Sequence, residues 1–177
     1  MIPDNNIENI LDSMRGKRVL VAGDLILDHY IEGSVDRISP EAPVPIVSLD
    51  RSGEKYVPGG AANVARNIFS LGGIPLMAGT VGDDTEGRLL VELLEKEGIN
   101  TDAVIFDPNR PTTSKTRIMS GGHQLIRLDR EVTEPVTGKI RDAVCSHIDG
   151  IIGELNAIVL EDYNKGVLTP GMISGIM

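Results

Sequence analysis

Apolar residues recur along this chain with two alternating periods, and the alternation predicts its architecture. Ile7, Ile10, Leu11 and Met14 fall three and four apart, the spacing of one helix face, and Gly16 follows as a stop. The next run, "RVLVAGD" (18–24), is apolar without a helical break and ends at Gly23 and Asp24, which predicts a buried strand. "APVPIVSLD" (42–50) has strand propensity, but Pro43 and Pro45 confine it to an edge or a projecting ribbon. Helical spacing returns at Ala61, Val64, Ala65, Ile68 and Leu71. "IPLMAGTVG" (74–82) is a strand, Leu89, Leu90, Leu93 and Leu94 mark a helix closed by Gly98, and "AVIF" (103–106) is a strand again.

The rhythm then changes. In "TSKTRIMSGGHQLIRLD" (113–129) two strand-like runs flank Gly121-Gly122, a two-residue turn that accepts positive φ, so the segment predicts a hairpin. Ile140, Val144, Ile148 and Ile151 resume the helical period, and "AIVLED" (157–162) supplies another buried strand. Alternating strands and helices predict an α/β fold, a mostly parallel sheet flanked by helices, with the ribbon and the hairpin as a small β lid over about 31–50 and 112–129. Thr169 and Pro170 open a last helix as side-chain cap and first-position proline. That helix has no strand to return to, so residues 1–177 are expected to be the N-terminal part of one larger domain, incomplete at the C-terminus.

Charge and composition narrow the partners. With 26 acidic against 17 basic residues the net charge is −9, and there is no Trp. Nucleic acid favours a basic face with stacking platforms, so none is expected as a partner. The single cysteine, Cys145, can form no internal disulfide and fits a reducing cytoplasm. The N-terminal stretch lacks the apolar core of a secretory signal, and no run approaches the roughly 20 apolar residues of a membrane span. A cytoplasmic location without a membrane partner is expected. His29, His123 and His147 are scattered, so no metal role is assigned. The acidic "GDDTEG" (82–87) is expected to cap the helix that follows it.

The stretch with the most chemistry is "VPGGAANVARNIFSLGG" (57–73). A loop that opens a helix presents unpaired backbone N–H groups, and residues without bulk let a ligand approach the main chain. Asn63 adds an amide that both donates and accepts, which suits a neutral hydroxyl. A second reading of the same residues is that Gly59-Gly60 only turn the chain while Ala61-Ala62 pack closely on the sheet. The glycine order matches neither G-x-G-x-x-G nor a P-loop.

Gly59-Gly60-Ala61-Ala62-Asn63-Val64-Ala65, with six residues between Ala65 and Gly72 and nine between Gly72 and Gly82, resembles the first signature of the ribokinase/PfkB family of carbohydrate kinases. Within that family "GDLILDHY" (23–30), "RISPEAPVPIV" (37–47), "RPTTSKTR" (110–117) and "DYNKGVLTP" (162–170) are similar to the heptose 7-phosphate kinases. The resemblance implies a ribokinase-like fold and a kinase that uses ATP and Mg2+ to phosphorylate the anomeric hydroxyl of D-glycero-β-D-manno-heptose 7-phosphate, a step toward ADP-heptose and the lipopolysaccharide core. It implies sugar contacts for Asp28, Gly59, Gly60 and Asn63, substrate contacts for Asp162 and Lys165, and a homodimer in which the lids clasp each other. Lys115 and Arg117, two apart on one strand face, hold either the sugar's phosphate or a solvated lid face.

Family kinases also carry a G-A-G-D motif whose aspartate is the general base and whose glycine amides stabilise the transferring phosphate. No segment of this chain matches it; "VAGD" (21–24) shares letters only. No catalytic residue is therefore assigned, and most of the nucleotide site is expected outside the chain. Two readings follow: the substrate-and-lid portion of a sugar kinase, for this heptose or another sugar, or a non-catalytic sugar-phosphate-binding or dimerisation module.

Overall fold

The computed structural model describes residues 4–177. After helix α1 (Asp4–Met14), strand β1 (Arg18–Gly23) takes an interior place in a four-stranded sheet with β4 (Ile74–Gly82), β5 (Asn100–Asp107) and β8 (Ala157–Glu161). The order is β5-β4-β1-β8 and every pair is parallel. Parallel neighbours require crossovers, and helices supply them. Alternation along β1 divides the core. Val21 packs with Ala61, Ala65, Leu90 and Leu94 on the face covered by α2 (Ala61–Ser70) and α3 (Thr85–Lys96). Leu20 and Ala22 pack with Val144, Ile148, Met172 and Ile176 on the face covered by α4 (Gly138–Ile151) and α5 (Pro170–Ile176).

Local chemistry sets the helix starts. Asp84 accepts the Gly87 amide at 2.8 Å as cap of α3, the role predicted for the acidic stretch, and Thr169 accepts the Met172 amide at 3.1 Å ahead of Pro170. The apolar face of α1 is different: Ile7, Ile10 and Leu11 are exposed. Periodicity located that helix, but burial depends on what lies opposite.

A second four-stranded sheet projects from the carboxyl end of the first. It consists of β2 (Leu25–Ile38), β3 (Pro45–Gly60), β6 (Ser114–Ser120) and β7 (His123–Arg130), in the order β3-β2-β6-β7. The proline-bearing ribbon is an edge strand and begins at Pro45, while Gly121 and Gly122 turn the hairpin at φ 56° and 78°. Both lid strands are rooted deeper than the 31–50 expectation: β2 starts at Leu25, and Leu25, Ile26 and Leu27 are buried. The glycine stretch is the end of β3 and not a loop, with Gly59 paired to Ile26 and Gly60 to Leu25. Asp84 also fastens the root of β6, accepting both the amide (2.9 Å) and the hydroxyl (2.6 Å) of Thr112. These bonds outweigh the desolvation that opposes its charge and lower its pKa below the usual carboxylate value.

Candidate functional site

The site forms where the lid leaves the main sheet, and register places its side chains. On β2, Asp28 lies opposite Val57 of β3 and beside Lys115 of β6, and Tyr30 lies beside Arg117. One carboxylate oxygen of Asp28 accepts a short hydrogen bond from Arg117 Nη1, and the guanidinium lies 5.2 Å over the Tyr30 ring. That bond holds the Arg117 pKa above its ordinary value and keeps it cationic. Asp28 is thus anchored by a bond to one oxygen, while its other oxygen faces the glycines.

The lack of side chain at 59 and 60 now has a cause. A Cβ on Gly59 would lie 2.2 Å from Asp28 Oδ2, so the glycine makes room for the carboxylate. Gly60 has φ +56°, and a Cβ there would lie 2.5 Å from the Asp24 carbonyl oxygen. Ala61 and Ala62 are fully buried against the sheet, as close packing requires. Asn63 is exposed one turn into α2, at the rim of the cavity that the glycines open. Close packing thus accounts for the alanines, which lie on the sheet, and for the glycines, which make room for Asp28 and for the Asp24 carbonyl; Asn63 is left exposed at the cavity rim.

Asp28, Gly59, Gly60 and Asn63 line one open cavity of about 340 Å³, together with Tyr30, Lys115, Arg117 and Tyr163. A carboxylate for hydroxyls, an amide, two cations and two aromatic rings fit a polar ligand that carries both hydroxyls and an anionic group. Two larger hollows, about 520 Å³ between α1 and β8 and about 660 Å³ between residues 107–110 and 132–140, contain none of the candidate substrate residues.

Two expected residues fall outside this cavity. Asp162 is exposed and its Oδ1 accepts the Asn164 amide at 2.7 Å, so it caps its own turn. Lys165 donates to Glu131 Oε1 at 2.9 Å and lines a small neighbouring hollow with Asp24, Thr80 and Arg110. Their neighbour Tyr163 reaches the cavity instead. Sequence reasoning missed Tyr163, Tyr30 and the buried Asp24. An aspartate directly after a fully apolar strand was the available signal for the last of these.

The profile described as pfkB family carbohydrate kinase matches residues 18–162, which hold every cavity residue except Tyr163. The chain belongs to that family. The bifunctional protein HldE of Caulobacter sp. (strain K31) is 43% identical over 167 residues, covering 94% of this chain and 33% of the relative. HldE of Helicobacter pylori (strain J99 / ATCC 700824) is 43% identical over 152 residues, 86% of this chain and 32% of its own. This pfkB-family chain thus spans about a third of the curated relatives it matches. Among solved structures, the tetrameric inhibited form of phosphofructokinase-2 from Escherichia coli superposes with a TM-score of 0.64 at 19% identity, over 92% of this chain and 51% of that one. A carbohydrate kinase from Agrobacterium tumefaciens gives 0.55 at 23% identity, over 73% and 43%. The fold is ribokinase-like, with a mostly parallel sheet flanked by helices.

Proposed function

We propose that this chain is the substrate-and-lid portion of a sugar kinase whose complete enzyme transfers the γ-phosphate of ATP to the anomeric hydroxyl of D-glycero-β-D-manno-heptose 7-phosphate. The observation that carries the reading is the convergence of Asp28, Asn63, Lys115 and Arg117 on one cavity. In this reading Asp28 and Asn63 hold sugar hydroxyls, Gly59 and Gly60 admit the ring, and Lys115 and Arg117 meet the 7-phosphate. The similarity of "GDLILDHY" and "RPTTSKTR" to the heptose 7-phosphate kinases supports the choice of sugar.

The side chains next to the cavity do not build a site for ATP and Mg2+. Asp24 spends its carboxylate on three backbone amides, Lys165 is paired with Glu131, and Asp162 caps its own turn. The nucleotide and its metal are proposed to bind residues that this chain does not supply, and the general base to be one of those residues. What the chain's own groups do is bind and orient the sugar. Asp162 and Lys165 are then supports of the wall and not sugar ligands.

Calorimetry on the chain with heptose 7-phosphate and with the unphosphorylated heptose tests the reading. Saturable binding that weakens at least about tenfold without the phosphate is expected, the scale of hydrogen bonds to charged groups. Equal affinity for the two sugars would remove Lys115 and Arg117 from the proposal. No sugar-dependent ADP release above a no-enzyme control is expected from the chain alone; measurable turnover would show that the general base lies within it.

We also propose a cytoplasmic location, where ATP is available, and a homodimer through the lids. No helix among the described residues is long and apolar enough to cross a membrane. The lid exposes Leu49, Ile126 and Leu128, each more than half open except Ile126 at half, and an open sheet face of this kind favours pairing. Ile126→Lys is expected to shift the chain from dimer to monomer in light scattering. A monomeric parent, or an unaltered dimer in the variant, would refute the lid clasp.

A further inference from the structure

Asp24 directly follows β1 and is only 1% exposed, yet no cation lies within ion-pair distance of its carboxylate among the described residues. Its oxygens are satisfied by backbone. Oδ2 accepts the amides of Tyr163 at 2.8 Å and Lys165 at 3.0 Å, and Oδ1 accepts the amide of Val167 at 3.1 Å. Alternate amides of one loop therefore converge on one buried anion. The same residue's amide donates to the Glu161 carbonyl oxygen at 3.1 Å, and its carbonyl oxygen accepts the Ala61 amide at 3.0 Å. Asp24 thus touches both walls of the cavity, the start of α2 behind Gly60 and the loop that carries Tyr163.

The loop needs such an anchor. Asn164 sits at φ +58° and Gly166 at φ +85°, where a Cβ would lie 2.2 Å from the Glu134 carbonyl oxygen. Positive φ at a non-glycine residue is held only when surrounding bonds determine it. A buried carboxylate likewise requires donors to replace its lost hydration. Each requirement is met by the other.

We propose that Asp24 is the positioning residue of the cavity: its carboxylate sets the 163–167 backbone and through it Tyr163, while its carbonyl oxygen sets the first amide of α2 beside Asn63. Asparagine would not substitute. It offers one acceptor oxygen, and its NH2 group would face an amide that is itself a donor. The placement of the loop stands on the chain alone, and only the nature of the ligand rests on the reading given above.

In the native chain, NMR is expected to detect through-hydrogen-bond couplings from the amide nitrogens of 163, 165 and 167 to the Asp24 carboxyl carbon. In Asp24→Asn, hydrogen exchange at those amides is expected to accelerate by about tenfold or more, the scale of losing a bond to a charged acceptor, while the β4 amides keep their protection. Affinity for heptose 7-phosphate is expected to fall with it. Absence of the couplings, exchange that rises equally in β4, or a loosened loop with unchanged affinity would each overturn the assignment. If the native chain binds no heptose 7-phosphate while the couplings and the local exchange effect are present, the sugar reading fails and the anchoring of the loop by Asp24 stands.

Discussion

Asp28→Ala is expected to reduce the affinity of the chain for heptose 7-phosphate by about 10- to 100-fold, the range for losing hydrogen bonds to a charged acceptor. The carboxylate has two tasks, and the variant removes both. Among the described residues it is the one anionic side chain lining the cavity, and so the strongest acceptor there for sugar hydroxyls. It also fixes Arg117, whose guanidinium would lose this hydrogen-bond acceptor and keep its place over the Tyr30 ring. Inorganic phosphate separates binding loss from collapse. Phosphate affinity should be retained or rise when Arg117 is freed, whereas equal loss of both ligands would mean that the cavity had merely deformed. Asp28→Asn, which keeps one acceptor oxygen, should fall between the two proteins.

Leu90→Ala is expected to destabilise the fold by about 2–5 kcal/mol, measured by urea unfolding. Leu90 is fully buried on α3, in the cluster that joins Val21 and Met77 of the main sheet to Leu27 at the root of the lid. Truncation would leave a cavity that the flanking β4 and α2 backbones are too constrained to fill. The expected loss is a large share of the roughly 5–15 kcal/mol that stabilises an ordinary domain. Leu128→Ala on the exposed lid strand is the control and should cost less than about 1 kcal/mol, since its side chain is already half open to water. Similar losses in the two variants would contradict the assignment of the core to this face.

Much of this molecule was legible in its sequence, for reasons that can be named. The strands β1 and β4 and the helices α2, α3 and α4 announce themselves because a buried parallel strand must be continuously apolar and a covering helix must be apolar every third or fourth residue. Those demands act locally. Strand β8 was legible as a strand, but it lies at an edge of the four-stranded sheet with none of its residues buried, so the expected buried strand at 157–162 is corrected to a half-exposed one. The hairpin turn was equally plain, since Gly121 and Gly122 both adopt positive φ, a requirement confined to two residues. Gly59, Gly60 and Asn63 were singled out by a spaced motif and Asp28 by the resemblance of "GDLILDHY" to the family, and one cavity gathers all four.

Other features were decided by contacts between distant segments, to which no local pattern responds. Periodicity gave α1 an apolar face, but whether Ile7 and Leu11 are buried depends on the surface opposite, and they are exposed. Asp162 and Lys165 read as substrate residues; folding commits one to Asn164 and the other to Glu131, and brings Tyr163 to the cavity. Arg117 lies 89 residues from Asp28, and only the parallel pairing of β2 with β6 makes them partners. Asp24 is the fullest case. A lone aspartate after an apolar strand is ambiguous in one dimension, because its role is set by three amides about 140 residues away that reach it when β8 docks beside β1.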